Sequence, residues 1–159
     1  MIRPARPSDA AAICAIWNPI IRDTLVTFNP VEKTVSDIEA ICAAKGDAFL
    51  VAEDESGAIM GFASYSQFRG GEGYRHTCEH TIILAPHARG RGVGRQLMSA
   101  LCDHARHAGY RSMWAGVSAE NPDAVAFHRR IGFAEVATLP QVGFKFDRWI
   151  DLILMQKML

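Results

Sequence analysis

The run LAPHARGRGVGRQLM, from Leu84 to Met98, limits what this chain can fold into more than any other stretch. An apolar segment of strand type, Thr81 to Leu84, stops at Ala85-Pro86. Arg89, Gly90, Arg91, Gly92, Gly94 and Arg95 then crowd together, and Val93, Leu97, Met98, Leu101 and Ala105 follow at helical spacing. Glycine costs backbone entropy and clustered arginine costs self-repulsion. A strand, a Gly-rich turn and a helix start in this order therefore point to an anion held on the first N–H groups of the helix. Arg89, Arg91 and Arg95 would add charge-assisted hydrogen bonds, and pyrophosphate fits that description. A P-loop is excluded, because Gly94-Arg95-Gln96 stands where Gly-Lys-Ser/Thr is required. A dinucleotide fingerprint fails as well: Arg95 occupies the place of its third glycine, and no acidic residue ends a strand about twenty residues on. A glycine-rich turn with solvated arginines remains the plain alternative.

Around this turn the chain reads as mixed α/β, hairpins first and crossover helices later. Residues 1–9 predict a short edge strand, with Ser8 or Asp9 capping a helix whose apolar face is Ile13, Ile16, Trp17 and Ile20 and which Pro19 bends or ends. An ordered loop follows, and Ser36 with Glu39 predicts a capping box for a second helix closed by Gly46. AFLVAED and AIMGFASYSQF read as a hairpin turning at Glu55-Ser56-Gly57. HTCEHTIIL is the next strand, and the helix after the Gly-rich turn ends at Gly109. SMWAGVS is a fifth strand, a short helix closes at Gly132, and WIDLILMQKML reads as one more buried strand. We expect one domain over residues 1–159.

Lysine plus arginine equal aspartate plus glutamate at 17 each, which speaks against general nucleic-acid or membrane-surface binding; any basic site must be local. Cys14, Cys42, Cys78 and Cys102 are scattered without metal-ligand spacing, so we expect reduced thiols, no metal and a cytoplasmic home. No stretch has the length of a membrane span, and MIRPARPSDA lacks the apolar core of a signal peptide.

Arg89-x-x-Gly92-x-Gly94, after a strand and opening a helix, resembles the coenzyme A pyrophosphate motif of the GCN5-related N-acetyltransferase (GNAT) superfamily. Asn121-x-x-Ala124-x-x-Phe127-His128-x-x-x-Gly132-Phe133 is similar to that superfamily's second signature, in the right order. The resemblance implies a mostly antiparallel mixed central sheet of six to seven strands flanked by about four helices, with acetyl-CoA as cosubstrate. GYRHTCEHTIIL, WNPIIRDTLVTFNPVEKT and PQVGFKFDRWIDLILMQ further resemble the phosphinothricin and methionine sulfoximine N-acetyltransferases along nearly the whole chain.

That resemblance implies transfer of acetyl to the α-amine of a small amino-acid-like substrate, with Glu79 as general base, directly or through water. A carboxylate merely paired with Arg75 is the alternative. The pantetheine arm would pair with the backbone of Ile82, Ile83 and Leu84, and the pyrophosphate would sit on Arg89, Gly90, Arg91, Gly92, Val93, Gly94 and Arg95. Asn121 and His128 would meet the same cofactor. His128 stands where many members carry a tyrosine thought to protonate the leaving thiolate, although a histidine packed beside Phe127 is often only structural. On the substrate side the family positions are Arg69, Gly70, Gly71, Glu79, His80 and Thr81, with Arg69 for a carboxylate and with Arg75 and Phe28 as weaker candidates. Strand alternation lets only one of Glu79 and His80 face the amine directly. Gly71 replaces a second basic residue, which favours a sulfoximine or sulfone over a phosphinate. Trp114 reads as core, and Trp149 and Asp151 as scaffold. A homodimer is expected. The competing readings are a peptide N-terminal or other small-amine acetyltransferase, and a sensor of acetyl-CoA without turnover.

Overall fold

The computed structural model describes every residue from Met1 to Leu159. Seven strands form one sheet: β1 (Ile2–Pro4), β2 (Phe49–Glu53), β3 (Ile59–Gln67), β4 (Thr77–Leu84), β5 (Ser112–Ser118), β6 (Ala134–Lys145) and β7 (Arg148–Met158). They are ordered β1-β2-β3-β4-β5-β7-β6, and every neighbouring pair is antiparallel except β4 and β5. Four helices flank the sheet: α1 (Ala10–Asp23), α2 (Val35–Lys45), α3 (Val93–His107) and α4 (Pro122–Arg130). The mixed, mostly antiparallel α/β architecture is the one the sequence implies.

Side-chain alternation divides the core between the two faces of the sheet. On one face Leu97, Met98, Leu101 and Ala105 of α3 pack on Leu50, Ala63, Cys78 and Met113. On the other, Ile13 and Ile20 of α1 and Ile38 and Cys42 of α2 meet Phe49, Val51, Phe62 and Ile83. Cys78 therefore looks toward α3, and Glu79, Thr81 and Ile83 toward α1.

Several local expectations shift. Pro19 does not end α1, which continues through it to Asp23. Pro19 and Ala15, whose carbonyl loses its i+4 donor, both face solvent, so water replaces the missing bond while Ile20 and Ile21 stay buried. Asp9 gives no side-chain cap to α1 itself; its carboxylate instead accepts from the Arg6 N–H and the Arg3 guanidinium, closing the turn before the helix. The capping box of α2 is Thr34 with Asp37, and the Ser36–Glu39 pair lies inside the helix. Both pairs have the required spacing, and the earlier one wins because it pairs both N–H groups and adds residues to the helix. β6 went unread as a strand of its own. It is exposed along most of its length and its register shifts between Leu139 and Gly143, so no hydrophobic period marks it. Trp149 is not scaffold: it is 62% exposed, and its one aromatic contact is the tilted ring of exposed Phe144. Trp114 is half-buried against Phe68.

Candidate active site

β4 and β5 pair only from Thr77–Glu79 to Ser112–Trp114, although β4 continues to Leu84 and β5 to Ser118. The strands part immediately after Glu79. The wedge between them widens into a cleft of about 1020 Å³ lined by Glu79 to Leu84 on one side and Ala115 to Ser118 on the other. Backbone groups of Ile82, Ile83 and Leu84 that face the gap have no ladder partner on β5, which leaves them free for an extended ligand added like a strand.

The Gly-rich turn forms one end of this cleft. Gly90 and Gly92 have φ of +73° and +80°, a left-handed backbone that a side chain would strain, and a Cβ on either would point into open space. Gly94 serves close packing instead, since a Cβ there would stand 3.2 Å from both Leu84 and the Phe127 ring. The N–H groups of Val93, Gly94 and Arg95 bond no backbone or side-chain acceptor, and the first closed turn of α3 begins with Gln96 N–H to Gly92. Three free N–H groups at the positive end of a helix, with Arg89 and Arg95 beside them on the cleft wall, fit a pyrophosphate. Arg91 is placed elsewhere, in a separate depression shared with Glu53, Asp54 and Glu55. Asn121 lines the cleft and caps α4, its Oδ1 accepting from Ala124 N–H at 3.2 Å, which leaves the amide NH₂ for a ligand.

Glu79 sits at the apex of the wedge. Its Oε1 would lie 2.9 Å from a Cβ on Gly116, so glycine in the middle of β5 is what makes room for the carboxylate. Burial pushes the Glu79 carboxyl up, and no hydrogen bond or cation offsets it. Arg75 pairs with Glu72 instead, at 3.2 Å on the surface. Across the ladder from Glu79 stands Ser66, and Trp17, Ile20, Val26, Thr27 and Phe28 wall this side of the cleft. Phe28 packs against Gly143 of β6, where a Cβ would fall within 2.4 Å of its ring. The loop carrying Phe28 is tied down by Lys145, whose buried ammonium donates to the carbonyls of Thr24 (2.6 Å) and Thr27 (2.8 Å).

His80 points to the opposite face from Glu79, as alternation requires. It is buried there against His128 and Phe133, with its Nε2 3.1 Å from His128 Nε2. Hydrogen-bond roles fix the tautomers. His128 Nδ1 lies 2.7 Å from the Ala124 carbonyl, so it must carry a proton. Burial pushes both imidazoles down, so the pair is neutral and His128 Nε2 accepts from His80 Nε2–H. His80 Nδ1 then remains buried without a partner. Both ring nitrogens of His128 are thus engaged within the protein.

Arg69, Gly70 and Gly71 lie on the exposed turn after β3, outside the lining of the cleft. The Arg69 guanidinium is 6.0 Å from the Phe68 ring and pairs with no carboxylate. The Gln67 amide holds this turn by donating to the carbonyls of Arg69 (2.6 Å) and Gly71 (2.9 Å). Thr81 is exposed on the Glu79 face. Sequence reasoning passed over Ser66, Gly116 and Lys145. Only Gly116, a glycine inside a strand pattern, carried a readable signal.

Residues 17–133 match the model of the acetyltransferase (GNAT) family. The chain belongs to that family. Membership makes it an acyltransferase that takes its acetyl group from acetyl-CoA. The chain is 40% identical to the L-amino acid N-acyltransferase MnaT of Escherichia coli, over 98% of its own length and 91% of the relative's. It is 38% identical to an L-methionine sulfoximine/L-methionine sulfone acetyltransferase of Pseudomonas paraeruginosa, over 98% and 92% of the two chains. Among solved structures it is similar to a ribosomal-protein-alanine N-acetyltransferase from Brucella melitensis (TM-score 0.95, 40% identity, 100% and 99% of the two chains). It is also similar to yncA of Salmonella typhimurium, a structure that holds acetyl-CoA (TM-score 0.93, 36% identity, 99% and 92%).

Proposed function

We propose that this protein acetylates the α-amine of a small amino acid of the methionine sulfone or methionine sulfoximine type, with Glu79 as the general base. The observation that carries the reading is the position of Glu79, at the apex where β4 and β5 part, in a cleft that Phe28 and Trp17 also line. Bound acetyl-CoA supplies a thioester carbonyl for the amine to attack. The N–H groups of Val93 to Arg95, with Arg89 and Arg95, hold its pyrophosphate, and the free edge of Ile82 to Leu84 takes its pantetheine arm.

Glu79 has two tasks. As a carboxylate near neutral pH it attracts the substrate ammonium, and it then accepts the proton that makes the amine a nucleophile. A backbone N–H on the open edge of β4 polarises the acetyl carbonyl. His128 has no proton to spare for the departing sulfur, because its only N–H is committed to Ala124; water on the cleft side performs that step. Arg69 stands on the exposed turn after β3, outside the cleft lining and paired with no carboxylate. The four buried, unpaired cysteines suit a reducing cytoplasm, and no helix is long and apolar enough to cross a membrane. The protein works as a homodimer, supported by the exposed aromatic strip on the β6–β7 hairpin.

A thiol-release assay with acetyl-CoA tests the reading. The panel is methionine sulfone, methionine sulfoximine, phosphinothricin, ordinary amino acids and peptides with N-terminal alanine. The sulfone and sulfoximine are expected to lead in kcat/KM, with phosphinothricin behind. Peptides that outrun every free amino acid would replace this reading with N-terminal acetylation.

A further inference from the structure

Lys45 ends α2 half-buried, and its ammonium donates to the Tyr65 carbonyl (2.7 Å) and to the hydroxyl of Ser66. None of the molecule's ion pairs includes it. Charges withdrawn from water are ordinarily paired, and this one meets only neutral oxygens. Ser66 is the register partner of Glu79 on the neighbouring strand, so both side chains leave the same face of the sheet, and both line the cleft. With its oxygen accepting from Lys45, the Ser66 hydroxyl turns its own proton away from the ammonium.

We propose that Ser66, backed by the Lys45 ammonium, is the subsite for the α-carboxylate of the substrate. The assignment rests on the amino-acid reading above. An α-amino acid carries its ammonium and carboxylate on one carbon. The site presents the complementary pair on adjacent strands, a carboxylate at Glu79 and a cation-backed hydroxyl at Ser66. The substrate's carboxylate supplies the counter-ion that Lys45 lacks. Ser66 makes the contact, and Lys45 orients the hydroxyl and sets the sign of the potential. An amine without an adjacent carboxylate, or a peptide whose first carboxyl is an amide, leaves the subsite unfilled. The cleft therefore selects free amino acids at the backbone end of the substrate, whatever the side chain. Arg69 lies on the exposed turn after β3 and is not among the residues that line the cleft.

The test compares methionine sulfone with its α-carboxamide in the wild type and in Lys45→Met, Ser66→Ala, Lys45→Arg and Arg69→Ala, with acetyl-CoA affinity measured by calorimetry as a check on the fold. Wild type is expected to prefer the acid. Lys45→Met and Ser66→Ala each raise KM for the acid by about tenfold or more, the loss of a charge-assisted contact present in both ground and transition states. Turnover at saturation and kcat/KM for the amide change little, Lys45→Arg restores most of the preference, and Arg69→Ala keeps it. If Lys45→Met does not fold, Ser66→Ala, an exposed single-oxygen deletion, carries the comparison. Retention of the wild-type preference in Ser66→Ala and Lys45→Met, with its loss in Arg69→Ala, overturns this assignment and leaves the amino-acid reading intact. A wild type indifferent to the carboxylate overturns both.

Discussion

His128 is held by both of its ring nitrogens, one donating to Ala124 and the other accepting from His80, in a pocket closed by Phe127 and Phe133. The resemblance places a proton donor at this position, and the residue type alone is compatible with that role. What decides against it is the direction of the ring, which sequence does not encode. His128→Phe is expected to keep kcat within about threefold, while a lost general acid costs about 10²-fold or more. A rate measurement at saturating acetyl-CoA separates the two. Glu79 was legible because its strand segment carries the resemblance. Its working environment was not, because the room it needs is made by Gly116 on a different strand, and a mid-strand glycine read alone equally suggests a bulge.

Among the elements, those whose sequence signals are local were read well. The Gly-rich turn, the α3 face of Val93, Leu97, Met98, Leu101 and Ala105, and the β2–β3 hairpin stand where the pattern puts them. The elements that depend on distant partners were not. β6 has little buried face to give it a period, yet its Gly143 and Lys145 anchor the loop that walls the acceptor side. No local pattern pairs Lys145 with carbonyls 121 and 118 residues away. Lys145→Met removes the shared donor of two carbonyls and is expected to cost about 1–3 kcal/mol, a fall in Tm of roughly 2–10 °C. It should also raise KM for the amine as Phe28 loosens, with acetyl-CoA affinity unchanged. Calorimetric melting together with the two KM values checks this; an unaltered amine KM would show that the loop holds without its tether.

At the scale of the whole molecule, formal charge is zero, so the polarity that matters is arranged within the cleft: N–H groups and arginines at one end, a carboxylate at the apex. Zero net charge also leaves little repulsion between copies. Phe144, Phe146, Trp149 and Val142, each more than half exposed on the β6–β7 hairpin, form the apolar surface through which we expect two chains to join. Sedimentation should give the mass of a dimer, and Trp149→Glu that of one chain; a wild-type monomer at all concentrations would contradict the dimer. The central claim is that the fold buries Glu79 to make it a base. Because burial raises its carboxyl, kcat/KM should fall as pH drops through a value above the ordinary carboxylate range. The same shift means that ionised Glu79 costs folding stability at neutral pH, where the group is charged although buried, so Glu79→Gln should melt no lower than wild type. The most direct measurement is the pH profile of acetyl transfer to methionine sulfone by wild type and Glu79→Gln, with acetyl-CoA affinity taken alongside. The account predicts a loss of about 10²–10⁴-fold near neutral pH, disappearance of the acidic limb and unchanged acetyl-CoA binding. Full turnover with the acidic limb intact in Glu79→Gln would contradict it.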